Sequence, residues 1–205
     1  MVTPVIPVYA HMGGVQGPPQ GHWTSNDWED LPDNGNRYEI IEGVLYVSTA
    51  PSYFHQWIIK RLVYKLGVPA EEQGLAYVDF APIGVFMPGC EPVQPDLVVV
   101  LNERKSIIRN RRIQGVPDLI AEVLSPGSVD YDEGVKLAAY AKAGVPEYVA
   151  IDPAKRELRY YRLLNPGEYA PAETFHEGAS VTFTCLPTLP VPISDLFAGA
   201  PDTTV

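Results

Sequence analysis

From Gln94 to Lys136 the chain reads Gln94-Pro-Asp-Leu-Val-Val-Val-Leu101, then a basic connection, then Pro117-Asp-Leu-Ile-Ala-Glu-Val-Leu-Ser-Pro126, then a helical stretch that carries Lys136. The branched apolar run after Asp96 reads as a strand buried on both faces. Asp118 to Leu124 reads as a second, stopped by Pro126-Gly127-Ser128. Asp96 stands next to the first run and Glu122 within the second, where an ionised acid needs a partner or a cation. Side chains alternate along a strand, so residues 118, 120, 122 and 124 share a face and Glu122 points with Leu124.

Upstream, Thr24 to Asn26 offers a helix cap before Trp28 and Leu31. Arg37 to Ile41 and Val44 to Ser48 read as a hairpin across Glu42-Gly43. Pro51 and Ser52 open a helix through about Leu66, with His55 in its first turn and Ile58, Leu62 and Leu66 on an apolar face. Leu75 to Phe80 and Ile83 to Met87 are short strands, and Cys90 to Gln94 reads as a turn. Downstream, Asp130 with Glu133 fits a capping box for the Lys136 helix, and Gly144 fits its C-terminal cap. Strands follow at Glu147 to Ile151, at Glu157 to Leu164, near Tyr169 and at Val181 to Phe183, with a last short helix near Ser194 to Phe197. The order implies a mixed α/β (α+β) domain around a central sheet.

A length of 205 residues, 46% of them hydrophobic, suits one domain, and 21 prolines and 17 glycines imply many turns. We expect a flexible arm over residues 1–22, the domain over 23–198 and a tail over 199–205. A formal net charge of −10 argues against coating nucleic acid by bulk charge. Between Leu101 and Gly115, however, Arg104, Lys105, Arg109, Arg111 and Arg112 face one acid, Glu103, so this loop is net +4 and the rest sums to −14. The loop is either a local nucleic-acid contact or a solvated connection. Cys90 and Cys185 are in no ligand spacing and read as structural thiols of a reducing compartment. The first basic residue is Arg37, unlike a signal peptide, and no apolar run approaches the roughly 18 residues of a membrane span. A cytoplasmic protein is the expectation.

Two acids and a lysine form the minimal set for holding a divalent cation against a phosphodiester and stabilising the charge that develops on cleavage. Leucine at 124 leaves no cation beside Glu122 on its own strand, and Lys136 is the nearest lysine downstream. It leans back over Glu122, or it makes an ordinary i,i+4 surface pair with Asp132. Asp118 rivals Asp96, although its place at a strand start suits a solvated cap. Glu39 lies mid-strand, either buried against a partner or facing water. His55 either hydrogen-bonds a phosphate or an acid, or simply packs.

Together the fragments Tyr38-Glu-Ile-Ile-Glu-Gly43, Pro51-Ser52 with His55-Gln56, Gln94-Pro-Asp-Leu-Val98, Pro117 to Pro126, Asp132 with Lys136, and Gly144-Val-Pro-Glu-Tyr148 with Asp152-Pro153 resemble the Uma-type endonuclease-like family of the PD-(D/E)XK restriction-endonuclease-like superfamily. The resemblance spans roughly Trp23 to Phe197. It implies a restriction-endonuclease-like core, a central mixed β-sheet flanked by helices with an N-terminal hairpin. It implies Asp96 and Glu122 as metal ligands, Lys136 as a relocated catalytic lysine, and Glu39 and His55 as accessory residues near the site. The expected activity is Mg²⁺- or Mn²⁺-dependent hydrolysis of phosphodiesters, DNA before RNA. The alternative is a catalytically weak or inactive nucleic-acid-binding or interaction module that keeps the fold. A membrane partner is not expected, and a homodimer stays open.

Overall fold

The computed structural model describes residues 6–7 and 15–201. Most of the expected arm and of the expected tail therefore lies outside the described residues. Where the first stretch is described it lies on the hairpin: Ile6–Pro7 pairs antiparallel with Val44–Ser48, and the Gln20 amide brackets the backbone of Leu45.

The central sheet runs, in spatial order, Glu168–Tyr169, Glu157–Asn165, Glu147–Asp152, Leu119–Val123, Leu97–Leu101 and Ala76–Phe80, with Glu173–His176 also on Glu157–Asn165. Leu119–Val123 is parallel to Glu147–Asp152 and antiparallel to Leu97–Leu101, so the sheet is mixed. Both middle strands are buried on both faces, as their unbroken apolar runs require. Leu97, Val99, Leu119, Ala121 and Val123 pack on one side against the helix that begins at Tyr53 and the C-terminal segment through Phe197. Val98, Val100, Ile120 and Leu124 pack on the other side against the Leu137–Ala143 helix.

A second sheet covers that other side. Its order is Ile6–Pro7, Val44–Ser48, Arg37–Ile41, Cys90–Val93, Gly84–Met87, Arg112–Gln114 and Ile108–Arg109. The sequence alone predicts a turn at Cys90–Gln94, and the structure forms a strand over Cys90–Val93. The correction has a tertiary cause: Cys90 and Val93 are fully buried, and their strand pairs with both Ile41 and Val85. The hairpin turn follows the expected chemistry. Glu42 and Gly43 both take positive φ, 49° and 74°, and their twist matches that of the flanking strands.

Two helices depart from expectation. The Tyr53–Leu62 helix continues through a wide turn at Val63–Gly67 and on to Glu72, beyond Leu66. Pro69 falls just after the widened turn, where i→i+5 bonding gives way to the last segment, and the chain stays helical through it. The second correction is the expected capping box: Asp130 is already helical and its side chain caps nothing. Ser128 fills that place, with its carbonyl accepting from Asp132 N at 2.8 Å. Gly144 closes the helix in the left-handed conformation, φ 89°.

Candidate active site

The register Leu119↔Val99, Ile120↔Val98, Ala121↔Leu97 runs on to bring Glu122 opposite Asp96. Two side-chain-to-backbone bonds tie the pair. Asp96 N donates to Glu122 Oε2 at 3.3 Å, and Val123 N donates to Asp96 Oδ2 at 2.9 Å. Opposed positions place Cβ atoms roughly 4.5–5.5 Å apart, so the two carboxyl groups are within reach of one ion.

Lys136 arrives from the helix that follows. The turn from Tyr131 to Lys136 is widened to i→i+5 bonding, which overlays residues five apart, and the ammonium lies 5.0 Å from the Tyr131 ring centre. Lys136 is only 2% exposed. Its Nζ lies 2.8 Å from Glu122 Oε1, 3.2 Å from Glu39 Oε1 and 3.6 Å from Asp132 Oδ1. The i,i+4 pair with Asp132 therefore exists, but it is buried and one of three. Burial works against the ammonium, and the three carboxylates more than reverse this, so Lys136 stays charged.

Glu39 is buried rather than facing water. It also accepts from Gln94 N at 2.7 Å and from Tyr131 OH at 3.1 Å. His55 is buried with Nε2 3.0 Å from Asp96 Oδ2, while its Nδ1 is enclosed with no hydrogen-bond partner among the described residues. Asp118 is not a solvated cap. It is buried, accepts from Leu101 N and pairs with Arg104 at 2.6 Å, away from the site.

Sequence reasoning missed Arg37 and Tyr140. Arg37 lies 3.0 Å from Asp96 Oδ1, and Tyr140 OH donates to Glu122 Oε1 at 2.9 Å. The signal for Arg37 was available: it stands two residues before Glu39 on one strand, hence on the same face. Tyr140 is four residues after Lys136 and reads equally well as core.

The electrostatics are lopsided. Four buried carboxylates, Glu39, Asp96, Glu122 and Asp132, face two permanent cations, Arg37 and Lys136. Burial, joined by Asp96, Asp132 and Glu39, pushes the Glu122 carboxyl up to about 8 against the pull of Lys136. Burial pushes Asp132 up to about 6. Asp96 goes the other way: burial opposes its charge, but the bond from His55 and the charges of Arg37 and Lys136 hold it below the usual carboxylate range.

These residues line a cleft of about 720 Å³, bounded also by Ser52, Phe54, Ser125, Ser128 and Asp152. None of the five loop basics lines it. The loop leaves the far end of Leu97–Leu101, five residues and about 16 Å from Asp96 at roughly 3.3 Å per residue. Three of the five are engaged internally: Arg104 with Asp118 and Val116 O, Arg112 with Glu29, and Arg109 with the Ser106 carbonyl. Lys105 and Arg111 are exposed.

A family model for Uma2, described as "Putative restriction endonuclease", matches residues 25–194. The chain belongs to the Uma2 family. A solved structure titled a "putative nuclease belonging to DUF820", from Anabaena variabilis ATCC 29413, is similar to this Uma2 chain at 23% identity. The match covers 85% of this chain and 97% of that one, with a TM-score of 0.71, which shows a shared fold. No curated protein matches the chain. Among the described residues no helix is long and apolar enough to cross a membrane.

Proposed function

We propose that this Uma2 chain is a divalent-metal-dependent endonuclease, with Asp96 and Glu122 as the metal ligands and Lys136 as the charge stabiliser. The observation that carries the reading is the fully buried Lys136 ammonium, 2.8 Å from Glu122, on the wall of an open cleft and within a cluster of four buried acids and two cations. Without a metal, burial and the neighbouring acids raise the Glu122 carboxyl, and a cation bound beside it would relieve that cost.

The donor set fits a hard divalent ion. Among the described residues no three His, Cys, Asp or Glu side chains already form a metal cage. Magnesium does not need one, since it takes one or two carboxylates and keeps its remaining positions for water and phosphate oxygens. Bound there, the ion would supply Lewis acidity and a water of lowered pKa.

The protein's own groups do the rest. Arg37 and His55 hold the Asp96 carboxylate ionised and oriented. Glu39, bonded to Gln94 N and Tyr131, holds Lys136 from the second sheet at 3.2 Å. Lys136 presents a fixed positive charge to a phosphoryl group entering the cleft, where it acts without reorganising.

The test is a nicking assay on supercoiled plasmid with Mg²⁺ or Mn²⁺, run beside Glu122→Gln. Glutamine mimics the neutral acid that burial favours, so the variant is expected to fold and to lose both cleavage and any metal-induced thermal shift. Native protein that binds nucleic acid but cuts neither DNA nor RNA with any divalent ion would leave the binding-module reading in its place.

A further inference from the structure

The helix that delivers His55 carries an aromatic and basic face that the site chemistry does not use. Tyr53, Trp57, Lys60 and Tyr64 recur at spacings of four, three and four, and so form one stripe on the helix surface. Tyr53 and Tyr64 are exposed to 56% and 58%. The Tyr53 and Trp57 rings are stacked, 29° apart in plane, and Lys60 Nζ sits 3.8 Å from the Trp57 ring centre. Trp57 is fixed from behind, with its indole N–H donating to Ala198 O.

Charge reinforces the pattern. From Ser52 to Ala70 the chain holds Lys60, Arg61 and Lys65 and no acid, on a protein of formal net charge −10. Arg61 and Lys65 are turned to Asp195, which leaves Lys60 as the outward cation. Position completes it: Ser52, Phe54 and His55 from the same first turn line the cleft, so the stripe begins at the cleft rim and runs about 16 Å along the helix at roughly 1.5 Å per residue.

We propose that this face binds a single-stranded nucleic-acid segment and feeds it to the cleft. One base stacks on the open face of Tyr53, extending the Tyr53–Trp57 stack, and Lys60 meets a phosphate. A continuous duplex keeps its bases stacked inward and offers Tyr53 nothing, so the inference assigns unpaired strands or junctions as the substrate class. It rests on the nuclease reading for its purpose, but binding is measured without metal and the two fail separately.

The experiment is fluorescence anisotropy of labelled dT12 and U12, and of a 12-base-pair duplex, in EDTA. Tyr53→Ala is expected to weaken single-strand binding by about tenfold, within the 1–3 kcal/mol of one base stack. Lys60→Glu is expected to reduce the salt slope by about 0.7 log units. Preference for dT12 or U12 assigns DNA or RNA. Reversing Lys105, Arg109 and Arg111 together is expected to change affinity by no more than about twofold, since none of them lines the cleft at which the stripe begins. Unchanged single-strand affinity in Tyr53→Ala, or native protein preferring duplex, overturns the proposal. So does sedimentation showing that Tyr53→Ala breaks a dimer while binding persists, because the face then serves a second copy. Loss of binding with no cleavage in any variant would sink the nuclease reading and leave this one standing.

Discussion

Lys136 is where local and tertiary chemistry meet. A lysine on an exposed helix could be replaced at a cost within about 0.5 kcal/mol. Here the ammonium is buried among Glu39, Glu122 and Asp132, so Lys136→Ala strands carboxylates without a counter-charge and is expected to cost about 3–5 kcal/mol. Chemical denaturation measures this, and a loss below 1 kcal/mol would mean that the cluster rearranges freely. Glu122 makes a pH prediction. Its folded carboxyl titrates near 8, against 4.5 for an ordinary glutamate. The folded protein then holds a proton that the unfolded chain has released, so this contribution is full below pH 4.5 and falls as pH rises towards 8. Thermal melts of metal-free protein should decline over that range, and Glu122→Gln should flatten the decline.

At the scale of elements, the two middle strands carry both the core and the site. Leu119 is fully buried on the sheet face opposite Glu122, and Leu119→Ala is expected to cost about 2–5 kcal/mol, read from urea unfolding. The basic loop divides into residues that hold structure and residues that do not. Arg104 neutralises buried Asp118 and bonds Val116 O, so Arg104→Ala is expected to lower stability by roughly 1–2 kcal/mol, discounted for its partial exposure. Exposed Arg111→Ala should stay within about 0.5 kcal/mol. Equal effects for the two would remove the distinction. The widened helical turn at Tyr131–Lys136 belongs here too, since it lets Tyr131 and Lys136 share one face of the helix.

For the molecule as a whole, a divalent ion that binds only the folded state must stabilise it. At 100 times its Kd the gain is about 2.7 kcal/mol, which for a chain of this size raises Tm by roughly 5–10 °C. Differential scanning with Mg²⁺ or Mn²⁺, then with EDTA, checks the proposal independently of any substrate. No shift at millimolar metal would count against Asp96 and Glu122 as ligands. The charge balance has a similar reach. On a body of net charge −10, exposed cations are confined to a few places, Lys60 on the helix and Lys105 and Arg111 on the loop among them.

What the sequence by itself determined was local. Apolar runs set the two central strands, φ-positive residues set the Glu42-Gly43 turn and the Gly144 cap, and alternation put Glu122 on a known face. The family fragments pointed to the fold and to Asp96, Glu122 and Lys136 as candidates, which the structure brings together. The tertiary structure decided how those charges are compensated. Glu39 reaches Lys136 across 97 residues, Arg37 reaches Asp96 across 59, and Arg104 removes Asp118 from the contest. A carboxylate's state depends on its desolvation and on every charge within a few ångströms, and neither is encoded in neighbours along the chain. The same holds for the second sheet and the position of the basic loop. Strand pairing and the end of a sheet at which a loop emerges exist only once distant segments have packed.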